Sequence, residues 1–168
     1  MATHATMRHD YVEARLMVWL TALSITGTPA VQHARVPRQA TATPAPWVRV
    51  AFRPLDPTHR GRITATQSAL GMAVLVVCDL FYPDGEDGAT FNLYSPQQAA
   101  ADLQAQLQFL TLSFLDYTIP AAPVTFADTA LRITRPVTVR YLDPSDGFRR
   151  QQVRATVEWT GRVDDSFA

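Results

Sequence analysis

Gly71-Met-Ala-Val-Leu-Val-Val-Cys-Asp-Leu-Phe-Tyr-Pro83 is the most apolar run in the chain. Val74, Val76, Val77 and Phe81 favour an extended backbone. Pro83 and the polar turn Asp84-Gly-Glu-Asp-Gly88 end it. It is about 13 residues long, too short to cross a bilayer, which takes about 20. Read as a strand, it is apolar or small on both sides. Ala73, Leu75, Val77 and Phe81 lie on one side, and Met72, Val74, Val76, Cys78 and Leu80 on the other. Such a strand needs cover on both faces, from the chain's own helices and from sheet partners or a neighbouring subunit. Nothing in the run performs chemistry.

The rest of the chain is read around that strand. Asp10 caps a helix running to about Ser24, with Glu13 in the capping-box position. Val12, Leu16, Trp19, Leu20 and Leu23 form one buried stripe, and Gly27 and Pro29 stop the helix. The apolar stretch Leu16–Ile25 has the length of a signal-peptide core. It lacks the positively charged start, because Asp10 and Glu13 offset Arg8 and Arg15, so it is read as structure. A short edge strand at 31–36 and an exposed Pro-, Ala- and Thr-rich loop at 37–46 follow.

Trp47-Val-Arg-Val-Ala-Phe-Arg53 alternates, with Val48, Val50 and Phe52 inward and Trp47, Arg49 and Arg53 outward. Residues 55–68 read as a long polar loop at the tip of an antiparallel hairpin into the central strand. Ser95-Pro-Gln-Gln98 starts a second helix, whose stripe is Ala99, Leu103, Leu107, Leu110 and Phe114, with Asp102, Gln104 and Gln108 exposed. A β segment at 130–134 continues past Pro136 into 137–141. The turn Asp143-Pro-Ser-Asp-Gly147 then leads to Gln152–Thr160, which turns Val153, Ala155, Val157 and Trp159 to one side. The expected fold is a single α+β domain over 9–163, a mostly antiparallel sheet with two main helices packed on it. Tails at 1–8 and 164–168 flank it.

Composition narrows the chemistry. Fifteen basic and fifteen acidic residues leave the 168-residue chain neutral, so no strong global attraction to nucleic acid or an anionic membrane is expected. Every basic residue is Arg, which rules out a P-loop lysine, a Schiff base and a Ser-Lys dyad. Cys78 is the one cysteine, so no intramolecular disulfide or cysteine zinc cluster can form. His4, His9, His33 and His59 have no metal-ligand spacing, and neither acidic turn has the ligand pattern of an EF-hand loop. No catalytic, metal or cofactor-binding residue is assigned, and no enzyme activity or cofactor is expected. The remaining candidates are two surfaces. Arg53, His59, Arg60 and Arg62 cluster positive charge at the hairpin, and Trp47 and Arg49 are candidates for a subunit interface.

The order of elements resembles the tail terminator, or tail completion, proteins of long-tailed bacteriophages and related gene-transfer particles. The likeness runs from the helix at Tyr11–Leu23 through the strand ending at Val36-Pro37. It continues through Trp47–Pro54, the long loop, Gly71–Pro83 and its polar turn, the helix from Ser95, and the closing β pair to Trp159. It is a pattern of elements, not a catalytic signature, and the loops at 37–46 and 115–130 look longer than a minimal member needs. The resemblance implies a structural subunit of a homo-oligomeric ring, typically a hexamer. It would sit in a virion or phage-like particle at the tail–head junction, after assembly in the host cytoplasm. Its partners would be the tail tube protein and a head-completion or neck protein, with DNA passing through the lumen without sequence recognition and no membrane contact. Another neck or minor tail component of the same junction, or a small ligand-binding or enzymatic α+β domain, is the alternative expectation.

Overall fold

The computed structural model describes residues 9–38, 44–64, 67–83, 95–113 and 130–164. The expected polar turn at 84–88, the inward placement of Phe114 and both tails fall wholly or mostly outside these residues. Two strands of 17 residues each, β4 (Gln67–Pro83) and β8 (Phe148–Asp164), form the spine. They pair antiparallel without a break from Gln67 opposite Asp164 to Pro83 opposite Phe148. The central apolar run therefore belongs to a longer strand that begins at Gln67. Strands of 3–10 residues are usual, and a ladder this long must twist and curl.

Each spine strand carries two shorter partners along its outer edge. Beside β4 lie β2 (Trp47–Pro54), opposite residues 74–81, and β3 (Thr58–Thr64), opposite residues 67–71. Beside β8 lie β6 (Ala130–Ile133) and β7 (Thr138–Ser145). At the margins, β1 (Ala30–His33) adds parallel to β2, and β5 (Thr111–Ser113) adds antiparallel to β6. All pairings but β1–β2 are antiparallel. The fold is α+β, with two helices packed on a mostly antiparallel sheet.

Both helices, α1 (His9–Thr21) and α2 (Ser95–Gln108), cover the same sheet face. Val12, Leu16 and Leu20 of α1, with Ala99, Leu103 and Leu107 of α2, join one core with Met72, Val74, Val76, Cys78, Leu80 and Tyr82 of β4. Val153, Ala155, Val157 and Trp159 of β8 complete it. Burial of each Val or Leu side chain contributes about 1.5–3 kcal/mol, so this one-sided layer dominates stability.

Five expectations are corrected. The polar stretch at 55–68 is mostly a strand: β3 pairs with the start of β4, with register shifts at His59/Gly61 and Arg62/Thr64. Helix α1 stops at Thr21, where the Thr21 hydroxyl donates to the Val18 carbonyl. Helix α2 stops at Gln108. Leu110 still turns inward, and Leu112 is buried by strand alternation in β5. Asp102 is half-buried rather than exposed, because it accepts hydrogen bonds from the segment after α1. The closing turn narrows to Asp146-Gly147, with φ of 51° and 76° between paired Ser145 and Phe148. Two positive φ values in a two-residue hairpin loop match the right-handed twist of the strands, and Gly147 makes the second one inexpensive.

Candidate functional site

The sheet face opposite the helices is built by alternation. On β2 it carries Trp47, Arg49, Ala51 and Arg53, and on β4 Ala73, Leu75, Val77, Asp79 and Phe81. On β8 the same face carries Phe148, Arg150, Gln152, Arg154, Thr156 and Glu158. Registration aligns them in rows. Gln32, Arg49, Asp79, Gln152 and Arg140 form one row across five strands. Trp47, Phe81, Arg150 and Leu142 form the next. Arg132 stands opposite Glu158 farther along.

Asp79 holds the polar row together. Its carboxylate accepts a hydrogen bond at 2.8 Å from Arg49 Nη2 and another at 2.8 Å from Gln152 Nε2. It is buried, and a buried carboxylate left without such donors would cost several kcal/mol. Glu158 lies 3.7 Å from Arg135 Nη2 and also accepts from the Thr134 hydroxyl. Among the described residues, Arg53, Arg132, Arg140, Arg150 and Arg154 have no carboxylate within ion-pair distance.

An aromatic patch closes one end. Trp47 stacks on Phe81 with ring centroids 4.2 Å apart, and Phe148 meets Phe81 edge-on at 6.3 Å. Guanidinium groups cap these rings. Arg38 lies 4.5 Å over Trp47 and 4.9 Å over Phe148, while Arg150 and Arg49 lie 5.0 Å and 5.6 Å over Phe81. The surface thus presents charge over aromatic carbon, a stable arrangement for Arg in particular.

The structure brings the expected residues partly together. Trp47, Arg49 and Arg53 share the open face, but Trp47 is half-buried by its stack instead of standing exposed. His59, Arg60 and Arg62 are exposed on β3 at the other end of the sheet. The Arg60 side chain crosses over Gly71, where an added Cβ would sit 2.6 Å from Arg60 Nε. Sequence reading missed Arg132, Arg140, Arg150 and Arg154. The alternation that places Arg132 on β6, Arg140 on β7, and Arg150 and Arg154 on β8 is visible in the sequence, but their convergence with β2 depends on strand order and register.

On the helical side, a depression of about 550 Å³ is lined by Leu23, Ser24, Ile25, Thr26, Thr28, Asp102, Ala105 and Gln106. Its carboxylate, Asp102, is already engaged by the Thr26 backbone N–H at 3.0 Å, the Thr26 hydroxyl at 2.5 Å and Gln98 at 3.1 Å. Partial burial works to raise the Asp102 pKa, but these hydrogen bonds outweigh it and hold the carboxyl below its ordinary value. Burial, reinforced by Asp102, raises Tyr82 well above the usual phenol range, and its hydroxyl donates to the Thr26 carbonyl. This cluster ties the segment after α1 to α2 and β4, and its acid and phenol are both hydrogen-bonded. Among the described residues, no group of three or more His, Cys, Asp or Glu side chains could hold a metal ion. No helix of the described residues is long and apolar enough to cross a membrane.

No family model matches the chain, and no curated protein matches it. One solved structure aligns over 92% of this chain and 96% of its own, at 20% identity and a TM-score of 0.44. A likeness of that size supports no argument about function.

Proposed function

We propose that this chain is a structural assembly subunit. It closes with copies of itself into a ring on the head-proximal end of a phage-type tail tube, stops tube polymerisation and provides the joint to the head. The observation that carries this reading is the one-sided construction of the sheet. Helices cover one face of a ladder spanning about 55 Å at ~3.3 Å per residue. The other face keeps Leu75 and Ala73 half-buried beside a field of arginines, a composition typical of protein–protein contact. The β3–β4 hairpin supports it further, since it carries His59, Arg60 and Arg62 exposed on the edge strand β3. Repeated around a ring, that weak local charge becomes a basic collar.

The test is size-exclusion chromatography with light scattering, alone and with a tail tube protein, followed by electron microscopy. Closed rings, or tubes capped at one end, are the expected result. A protein that stays monomeric at high concentration and also in the presence of tube protein sinks the reading. Arg60→Glu with Arg62→Glu should impair ring assembly or particle joining while leaving the circular dichroism spectrum unchanged. Normal infectious or DNA-transferring particles from that double variant would remove the hairpin from the mechanism.

A further inference from the structure

We infer that the cleft between α2 and β7 takes up an extended peptide of another protein, which adds to the outer edge of β7 and seats one uncharged amide side chain, Gln or Asn, against Gln151. The inference goes beyond the ring reading and does not rest on it, since this cleft lies on the helical side of the sheet.

The first support is Gln151. By alternation on β8 it stands on the helical side, opposite Leu80 of β4 and Tyr141 of β7. It is 4% exposed, and its side-chain amide has no hydrogen-bond partner among the described residues. An amide buried in this way loses water without gaining a partner, at a cost of about 1–3 kcal/mol. It lines a cleft of about 200 Å³ together with Gln97, Gln104 and Tyr141. Gln104 donates through Nε2 to the Val137 carbonyl at 2.8 Å, which fixes its amide and leaves its carbonyl oxygen as an acceptor. The lining holds no charged side chain. A charged group entering it would lose water without meeting a counter-charge, whereas a primary amide both donates and accepts as the lining does. The phosphates of a nucleic acid would find no cation here.

The second support is size. Sites for free small molecules measure about 300–1,000 Å³, so this cleft suits one side chain of a longer chain instead. Its α2 wall is Ala100 and Ala101, whose short side chains let that side chain come close. The third support is the strand beside it. Among the described residues β7 pairs with β8 alone, so its outer edge keeps main-chain groups that no strand has taken up. Tyr141, 74% exposed, stands on the same rim. An extended peptide added to an open edge gains main-chain hydrogen bonds, and a side-chain pocket beside the edge gives it specificity. The added strand would lie about 4.8 Å from β7, with alternate side chains on the helical side next to Val139 and Tyr141. From there a long amide side chain reaches the cleft.

The experiment uses the full chain and four short fluorescent peptides of alternating Thr and Val, which carry Gln, Ala, Glu or Arg at one central position. Fluorescence anisotropy should show the Gln peptide binding about fivefold or more tightly than the other three. Hydrogen–deuterium exchange of β7 should slow when it binds. Gln151→Met keeps the size of the side chain and removes its amide. It should weaken the Gln peptide to the level of the Ala peptide and leave the Ala peptide unchanged, a pattern that a loss of folding does not produce. Ala101 is exposed, so Ala101→Arg should fold, as checked by circular dichroism, and should block the cleft to all four peptides. Equal affinities for the four peptides, or no binding of any up to about 1 mM, overturn the inference and leave the ring reading intact. Exchange of β7 that is slow in the protein alone and quickens on dilution would assign the edge to a second copy, which also overturns it. Rings that fail to form while the Gln peptide still binds selectively would remove the ring reading and leave the cleft assigned.

Discussion

Trp47 and Phe81 stand directly opposite each other between β2 and β4, and their rings lie flat together, 4.2 Å apart at an interplanar angle of 8°. This cross-strand pair fastens the edge of the open face, where Arg38 lies over the outer ring. The Trp47 indole N–H is buried without an acceptor. Trp47→Ala should therefore cost about 2 kcal/mol through lost packing and stacking. Trp47→Phe should stay within about 1 kcal/mol of wild type, since it keeps a ring while removing an unsatisfied donor. Urea unfolding followed by far-UV circular dichroism measures both. Equal losses for the two variants would show that stacking is not what holds this edge.

Tyr82 and Asp102 predict an acid-side dependence of stability. Their common partner is Thr26, whose carbonyl accepts from Tyr82 and whose N–H and hydroxyl donate to Asp102. The Asp102 pKa is lowered in the folded protein, so its contribution is complete above the ordinary carboxyl value of 3.8 and disappears as the pH falls below it. Asp102→Asn should lower the melting temperature at neutral pH and flatten its decline below pH 3.8. Tyr82→Phe should cost about 1 kcal/mol at neutral pH with the acid-side decline retained. Parallel melting curves for wild type and Asp102→Asn across the acid range would remove Asp102 from this role.

Cys78 predicts the opposite limb. It is fully buried in the core, and burial, with the neighbouring Asp79 charge, pushes its thiol up to about 12. A raised thiol pKa contributes stability that is complete below the unfolded value of 9.0 and is lost as the pH rises toward 12. At pH near 8 the native thiol should resist a disulfide-exchange reagent, because the attacking species is the thiolate. In denaturant one equivalent should react at once. Rapid labelling of the native protein would mean that this end of β4 opens readily.

Much of the scaffold is legible in the sequence because its signals are periodic. The stripe Val12, Leu16 and Leu20, the alternation of β2 and the alternation of β8 each mark a buried face directly. Strand β3 has no such signal. Thr58–Thr64 is largely polar and lies at an edge, so its conformation comes from backbone pairing with β4. The end of α2 is equally invisible to spacing. Leu107, Leu110 and Phe114 continue a helical rhythm, whereas Leu110 and Leu112 are buried by a turn and a strand. The arginine face is the least legible feature. Arg49 and Arg150 are far apart in sequence, and only β2–β4–β8 order brings both over Phe81.

Gly71 predicts a separation between stability and surface chemistry. It lies on the open face within β4, beneath the Arg60 side chain, and a Cβ there would meet Arg60 Nε at 2.6 Å. The atom in the way is the end of a flexible side chain, so it can swing aside at little cost. Alanine also removes the entropic penalty of glycine within a strand, about 0.5–1 kcal/mol relative to Ala. Gly71→Ala should therefore be neutral or stabilising by up to about 1 kcal/mol in urea unfolding, while displacing the Arg60 guanidinium from its position over the strand. The displacement can be read as a changed Arg60 Nε–H resonance in the NMR spectrum. A loss of more than about 1 kcal/mol would mean that Arg60 is held in place by contacts too strong to give way, and that it acts as a fixed part of the hairpin.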